Sequence, residues 1–344
     1  MNVNPLAWTA GIVTAFAMTL GGGAPAWAQS ATAAIDVSLG DVSMNKVLAL
    51  VAEDEGIYAK YGLTVRQYIT PGAADKARRQ GVDVPLEFVK DDAADDEQIA
   101  MGGGTPMIVR SVRVVGAADR VIIATFEDRI RNHIVSSTEI ASPEDLKGKR
   151  LGFNTDGSVT HLAAISFAEI MGWDPYNDIS LYQRGNTPNA ILSGQIDAFV
   201  GSILVRSLAD QAGLKDLLDL SQYDIPVAGS GLNVERAWFA DNREMAKRYT
   251  MSVVEAVALM KTDRDVFARA MAKWFNISDP EVVDMMHEEV EGIVEKPYPT
   301  VDGIMHTMDI YDFHEMQQRR AEDFYDSSII AELDESGFID DLYR

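Results

Sequence analysis

The sequence predicts an α/β fold of two lobes followed by a helical C-terminal region. Short runs rich in β-branched residues alternate with helical stretches, which is the pattern of α/β architecture. Two such strand–helix series follow each other, and the second begins near residue 142. A chain of 344 residues, 47% of them apolar, is long enough for two domains of ordinary size.

The elements follow from local patterns of apolar residues and turn residues. In the first series the predicted strands are 35–39, 63–69, 85–90, 121–125 and 133–137, and the predicted helix is 46–60. Residues 71–83 look irregular, and the acidic run at 91–97 is expected to begin a solvated helix, because like charges in a block prefer water. In the second series the predicted strands are 151–154, 179–182 and 196–201, and the predicted helices are 159–171 and 187–193. After residue 231 the apolar residues recur at helical spacing.

Residues 1–28 have the pattern of a secretory signal peptide. An apolar stretch from Leu6 to Leu20 is broken by glycines, and Ala26-Trp-Ala28 forms a small-x-small site with cleavage expected after Ala28. The segment carries no Lys or Arg, which departs from the usual signal, but the stretch is too short for a membrane anchor. The prediction is therefore export to the periplasm.

Composition excludes several classes of function. The formal net charge of −23 disfavours nucleic acids and anionic membranes as partners. The chain has no cysteine, which excludes disulfides, a thiol nucleophile, cysteine-bound metals and a lipidated cysteine. The five histidines are not at metal-site spacing, and no nucleophile elbow, phosphate loop or dinucleotide fingerprint is present. We expect a monomer without metal or cofactor and without enzymatic activity.

The stretch Arg150–Ala168 carries the strongest functional signal. A short apolar strand ends at Asn154-Thr-Asp-Gly-Ser158, and a helix follows directly. A helix start leaves about four backbone N–H groups without partners and favours an anionic or polar ligand group. An ordinary turn with a helix cap would have the same residues.

Wider motifs resemble the type II periplasmic solute-binding proteins of ABC importers, in the nitrate/sulfonate/taurine and thiamine-pyrimidine-precursor group. They are Asp145-Leu-Lys-Gly-Lys149 before the strand and turn, Leu192-Ser-Gly-Gln-Ile-Asp-Ala198 after them, the entry at 44–65 and the ending at 325–337. The resemblance implies two lobes joined by two crossing segments, with the ligand between them. The predicted first lobe consists of residues 29–130 and 232–344 and includes the C-terminal helices. The predicted second lobe consists of residues 131–231. The predicted crossings lie near 129–133 and 229–233, where glycines would permit hinge rotation.

The resemblance, with the rule that open sheets bind ligands beyond their carboxyl ends, implies the site residues. The ligand-binding candidates are Ser43, Asn45, Lys46, Gly104, Thr105, Asn132, Asp156, Gly157, Ser158, Val159, Thr160, Asn186 and Ser202. Lys46 stands where pyrimidine-precursor members have His. Arg129, Arg131 and Arg184 could pair with an anionic ligand or form ordinary salt bridges, and His161 is expected to line the cleft.

The expected function is capture of a small sulfonate or carboxylate in the periplasm and its delivery to an inner-membrane ABC permease. A pyrimidine-like heterocycle is the alternative ligand. A sensor that uses the same cleft and an enzyme on the same fold remain alternatives, although the pyrimidine-synthase relatives need a cysteine-rich motif that this chain lacks.

Overall fold

The computed structural model describes residues 33–40, 44–79, 84, 88–90 and 97–344. The predicted signal peptide, Ser43 and most of the acidic run lie outside these residues. The strands are β1 Ala33–Ser38, β2 Leu63–Tyr68, β3 Ile99–Gly103, β4 Arg120–Thr125, β5 His133–Ser136, β6 Arg150–Phe153, β7 Ser180–Gln183, β8 Ala198–Gly201, β9 Lys215–Asp219 and β10 Ser230–Glu235. The helices are α1 Val47–Asp54, α2 Ile57–Lys60, α3 Pro71–Arg79, α4 Gly104–Arg113, α5 Val159–Ile170, α6 Pro188–Leu192, α7 Ile203–Gln211, α8 Arg236–Thr262, α9 Arg264–Phe275, α10 Pro280–Glu291, α11 Val301–Ile310, α12 Ser328–Glu335 and α13 Phe338–Asp341.

The strands form two five-stranded sheets, and the predicted α/β class is confirmed. The first sheet has the order β2-β1-β3-β10-β4, and the second has the order β7-β6-β8-β5-β9. Each sheet is parallel on one side and antiparallel on the other, because β10 runs opposite to β3 and β4, and β5 runs opposite to β8 and β9. We call the first sheet with its helices the first lobe, and the second sheet with its helices the second lobe. The residue boundaries predicted for the lobes stay a prediction.

Several elements differ from the prediction for local reasons. The predicted helix 46–60 is two helices, because Gly56 adopts a left-handed conformation between them. Residues 71–79, expected to be irregular, form α3, which buries only the small side chains of Ala74 and Ala77 among those described. Of the predicted strand 85–90 the structure describes residues 88–90, which contain only a bridge between Val89 and Ile69. Residues 102–106, for which the sequence predicts no regular element, belong to β3 and α4.

Two chain segments join the sheets and lie side by side. The first runs from β4 to β5 and the second from β9 to β10, and backbone hydrogen bonds link them. The Ile130 N–H donates to Ile225 O at 2.9 Å, and the Val227 N–H donates to Asp128 O at 3.0 Å. We call residues 126–132 and 224–229 the crossing segments. They lie at or next to the predicted positions 129–133 and 229–233.

The apolar cores do not follow the sheets strictly. One core lies around the first sheet and α8, α9, α10 and α12. A second core contains α5 and the second sheet, and it also includes Ile108, Val109 and Ile304 from α4 and α11. Helices α4 and α11 therefore pack against the second lobe as well as the first. Among the described residues, no helix is long and apolar enough to cross a membrane.

Candidate ligand cleft

A cavity of about 570 Å³ lies where the carboxyl ends of strands from both sheets face each other. It is of the size that small-molecule sites usually have. Residues at the ends of β1, β3 and β4 line it from the first lobe, and residues after β6, β7 and β8 line it from the second. The predicted site residues that line it are Asn45, Lys46, Asn132, Ser158, Val159, Thr160, Asn186 and Ser202.

Four other predicted site residues do not line the cavity. The N–H groups of Gly104 and Thr105 donate to Gly229 O and Ala228 O, at 2.9 and 2.7 Å, so the protein itself uses them. The Thr105 hydroxyl contacts Thr307 Oγ1 at 2.9 Å. Asp156 is exposed, and Gly157 packs against Val109. Gly104, Thr105 and Gly157 thus pack within the protein behind the cleft. The remaining predicted site residue, Ser43, is not among those described.

The start of α5 presents hydrogen-bond donors to the cavity. Ser158 caps the helix, and its Oγ accepts the His161 N–H at 3.3 Å, as the strand–turn–helix pattern predicts. The N–H groups of Val159 and Thr160 have no acceptor within the part of the chain that the structure describes. Both residues line the cavity, so a ligand acceptor can reach these amides.

The hydroxyls of Ser158 and Thr160 are arranged so that one proton remains for a ligand. Their oxygens lie 3.1 Å apart, and Thr160 Oγ1 accepts the Asn154 N–H at 3.0 Å. One hydroxyl hydrogen is used in the bond between the two side chains. The other hydroxyl hydrogen has no acceptor among the described residues, and both side chains line the cavity. Together with the two amides, this makes a cluster of neutral donors that suits an oxyanion.

His161 lies behind this cluster and does not line the cavity, which corrects the expectation for it. Its ring stacks on Phe153 at a centroid distance of 4.3 Å, and Nδ1 lies 3.2 Å from the Gly157 nitrogen and 3.0 Å from Tyr311 Oη. Because the Gly157 N–H can only donate, Nδ1 is the acceptor and the ring is neutral. Burial lowers the pKa of His161, which agrees with a neutral ring.

The first lobe contributes a lysine and a carboxylate at the floor of the cleft. Lys46 is 4% exposed, and its Nζ lies 3.3 Å from Ser230 Oγ. Glu127, on a crossing segment, accepts the Ser230 N–H at 3.2 Å and the Asn45 side-chain amide at 3.5 Å. Burial raises the pKa of Glu127, while those two hydrogen bonds and the charges of Lys46 and Arg131 oppose the rise.

Polar side chains with no hydrogen-bond partner among the described residues also face this space. Asn132 is 7% exposed, and its Oδ1 has no hydrogen-bond partner in the described residues. The side chains of Asn186 and Ser202 likewise make no hydrogen bond to any described residue, although both line the cavity. Asn132 and Asn186 are buried, and buried polar groups are normally satisfied, so these two side chains indicate a place for ligand or water.

Sequence reasoning missed Glu127, Ser230, Asn233 and Arg120, which also line the cavity. Glu127 follows β4 by two residues, so the rule of strand carboxyl ends could have identified it. Arg120 could not have been found in that way, because its guanidinium reaches from the start of β4 to Asn233 Oδ1 at 2.6 Å.

The three arginines proposed as anion partners lie outside the cavity lining. Arg129 forms ion pairs with Asp224 at 2.9 Å and with Asp302 at 3.0 Å. Arg184 is exposed, with a left-handed backbone, and Arg131 packs against Gly292. Within the described part of the chain, no three His, Asp or Glu side chains are grouped so that they could hold a metal ion.

A protein-family model described as NMT1/THI5 like matches residues 44–263, which is well over half of the chain. The chain belongs to the NMT1/THI5-like family. The match extends from the helix start that carries Asn45 and Lys46 to the end of α8, so this family region contains the second sheet and every strand of the first sheet except β1. It also contains the cavity-lining residues from Asn45 to Asn233, whereas Ser38, Leu39 and Gly40 lie before it. No curated protein matches the chain in a sequence comparison.

Solved structures show the same fold at low sequence identity. The periplasmic nitrate-binding protein NrtA from Synechocystis PCC 6803 is 13% identical, with a TM-score of 0.67 and 91% of each chain covered. The periplasmic aliphatic sulphonate binding protein SsuA from Escherichia coli is 15% identical, with a TM-score of 0.60, and the match covers 85% of this chain and 99% of that one. The desulfurization enzyme DSZB is 11% identical, with a TM-score of 0.58, and the match covers 88% of this chain and 99% of that one. The periplasmic-binding-protein fold is thus confirmed for this member of the family.

Proposed function

We propose that the chain is the solute-binding component of an ABC import system and that it captures a small organic acid, a sulfonate or carboxylate, in the periplasm. The cluster of free donors at the start of α5 is the observation that carries this proposal. Two amides and one hydroxyl hydrogen there have no acceptor among the described residues and face a cavity of ligand size. Lys46 on the opposite lobe supplies a positive charge.

The two crossing segments support the delivery step. The crossing segments are the connections between the two sheets, and hydrogen bonds pair their backbones. Rotation about these paired segments would close the two lobes over a solute. A closed complex would then be presented to an inner-membrane permease. We propose that the protein acts as a monomer and catalyses no reaction, although an enzyme shares its fold.

A pyrimidine-like heterocycle is the second candidate ligand. Five asparagines line the cavity, namely Asn45, Asn132, Asn154, Asn186 and Asn233. A side-chain amide offers a donor and an acceptor side by side, as the edge of a pyrimidine does.

The test is a thermal-shift screen of the purified protein against sulfonates, carboxylates and pyrimidines, followed by calorimetry. A ligand at about 100 times its Kd stabilises the folded state by roughly 2.7 kcal/mol, which a thermal shift detects. Stabilisation by an organic acid supports the first candidate, and stabilisation by pyrimidines alone supports the second. No stabilisation by any of the three classes would contradict both.

Substitution of the donor hydroxyls tests the site itself. We expect Ser158→Ala combined with Thr160→Ala to weaken ligand binding about tenfold or more, since one to two good hydrogen bonds are lost. Isothermal titration calorimetry with the ligand from the screen measures this. Thr138→Ala combined with Ser180→Ala removes two exposed hydroxyls outside the cleft lining of the same lobe and should leave Kd unchanged. Equal Kd values for both double variants would remove the α5 hydroxyls from the site.

A further inference from the structure

One face of α10 contacts both the second lobe and a crossing segment. Arg206 of α7 places its Nη1 3.3 Å from Met285 Sδ. At the other end of the helix the Arg131 guanidinium packs on Gly292, where a Cβ would lie 1.3 Å from Nη1. Met285, Glu289 and Gly292 are separated by four and three positions, so they lie on the same face of the helix. Glu289 therefore sits between these two contacts.

Charged groups from several elements surround Glu289. Glu127 and Arg131 come from the first crossing segment, and His133 begins β5. Asp219 ends β9, and Arg206 beyond it is held by ion pairs with Asp216 at 3.0 Å and Asp210 at 3.5 Å. His133 Nδ1 lies 3.2 Å from Asp216 Oδ1. Glu289 makes no hydrogen bond or ion pair with any described residue, and its neighbour Glu288 is exposed.

We propose that Glu289 is a proton-binding element of the hinge, so that its protonation favours closure of the two lobes. In this structure the face of α10 lies against α7 and the crossing segment, and Glu289 is only partly exposed. We assign this arrangement to the closed state, in which the carboxyl group loses water near the Glu127 and Asp219 carboxylates. Opening returns it to solvent. The inference rests on the proposed function for the movement of the lobes, and it does not depend on which ligand binds.

The direction of the effect follows from the surroundings of Glu289. Burial raises its pKa from 4.5 to about 7, and Glu127 adds to the rise, while Arg131 and His133 oppose it. A group with a higher pKa in the closed state binds its proton more tightly there, so closure takes up a proton between these two pKa values. Lowering the pH from about 8 to about 6 should raise the ratio of closed to open molecules roughly tenfold.

His133 is the imidazole among the groups around Glu289. Burial lowers its pKa, but the hydrogen bond to Asp216 and the charges of Asp216 and Asp219 outweigh this and raise it. Its principal partner, Asp216, is within the same sheet, because β5 pairs with β9. Closure should therefore change the pKa of His133 less than that of Glu289.

The distance between the lobes can be measured without any ligand. The chain contains no cysteine, so Thr64→Cys on edge strand β2 and Ser180→Cys on edge strand β7 give two unique, exposed labelling sites, one on each lobe. Fluorescence energy transfer between dyes at these sites should increase as the pH falls from about 8 to about 6. In the same background Glu289→Gln should stay at the low-pH value throughout, because its side chain is permanently neutral.

Two further variants control the experiment. Glu288→Gln changes the adjacent, exposed carboxyl and should show the same pH dependence as the parent. Arg131→Gln removes a cation that lowers the pKa of Glu289, so the increase in energy transfer should begin at a higher pH. A parent whose transfer efficiency does not change with pH, or a Glu289→Gln variant that titrates like the parent, would overturn the inference. Neither result would affect the proposed function, which the ligand screen tests separately.

Discussion

At the scale of single residues, Gly157 fixes the turn that starts α5. Its φ of +78° lies in the left-handed region, and a Cβ at this position would lie 2.9 Å from Val109 Cγ1. Because valine is branched at Cβ, it has little rotamer freedom with which to move away. The turn thus needs glycine both for its conformation and for the packing of α4 against it.

An L-residue in the left-handed conformation costs about 1–2 kcal/mol. We expect Gly157→Ala to lower the free energy of unfolding by more than this amount. The contact with Val109 should add to this, since overpacking costs about 1–3 kcal/mol. Chemical denaturation monitored by circular dichroism measures the free energy of unfolding.

Gly172→Ala is the matched control for this substitution. Gly172 has a φ of +70°, but a Cβ added there would have no neighbouring atom within 4 Å. It should show the conformational cost without the packing cost, and equal losses in the two variants would mean that Val109 yields freely.

At the scale of elements, α11 packs closely against the second crossing segment. Gly303 lies against the backbone of this segment, and a Cβ there would lie 2.3 Å from Val227 C and 2.6 Å from Ala228 N. Next to it, Asp302 forms the ion pair with Arg129 of the first crossing segment. One turn of α11 therefore contacts both connections between the lobes.

We expect Gly303→Ala to lower the free energy of unfolding by about 1–3 kcal/mol, because the helix must move away from the crossing segment. Alanine would otherwise favour a helix by about 1 kcal/mol over glycine, so the packing effect has to exceed this gain. Thermal and denaturant unfolding curves measure the change.

Met305→Ala in the same helix provides the comparison. Met305 is 53% exposed, so truncating it should alter the free energy of unfolding by no more than about 0.5 kcal/mol. If Gly303→Ala and Met305→Ala changed the free energy of unfolding equally little, α11 would not pack closely on the crossing segment.

The sequence predicts the elements best where periodicity is strong and local. The strand, turn and helix at 150–170 are predicted nearly to the residue, because Ser158 marks the helix start and apolar spacing defines the rest. Strand β10 is missed, since Ser230–Glu235 has turn-like glycine at Gly231 and acquires its strand character by pairing with β3 and β4. Such tertiary pairing leaves little trace in a local pattern.

The candidate site shows the same contrast between local sequence patterns and contacts distant in sequence. Residues next to a recognisable motif, such as Ser158 and Lys46, are placed on the cleft lining correctly. Gly104 and Thr105 are misplaced because their amides bond to the crossing segment, which is distant in sequence. Whether the correctly placed residues bind a ligand stays a prediction.

At the scale of the whole molecule, the surface charge should make stability depend on salt. The formal net charge of −23 implies mutual repulsion among the carboxylates. We expect the melting temperature at pH 8 to rise between about 10 mM and about 200 mM sodium chloride, because screening weakens this repulsion. Many of the ion pairs are exposed and contribute little, so their screening should not reverse the effect.

Differential scanning calorimetry tests this, with choline chloride as a second salt. Equal increases in the two salts indicate screening, whereas an increase with sodium alone would indicate a bound cation and contradict the prediction. A fall in melting temperature with both salts would mean that attractive pairs outweigh the repulsion.

The position of β10 has a consequence for how the polypeptide is made. This strand lies between β3 and β4 in the first sheet, yet it follows every strand of the second sheet in the chain. Until residues 230–235 leave the ribosome, β3 and β4 have no strand to join them, and each presents an open edge. The second sheet can assemble from one continuous stretch, 133–219, so a growing chain gains its later lobe before it can complete its earlier one.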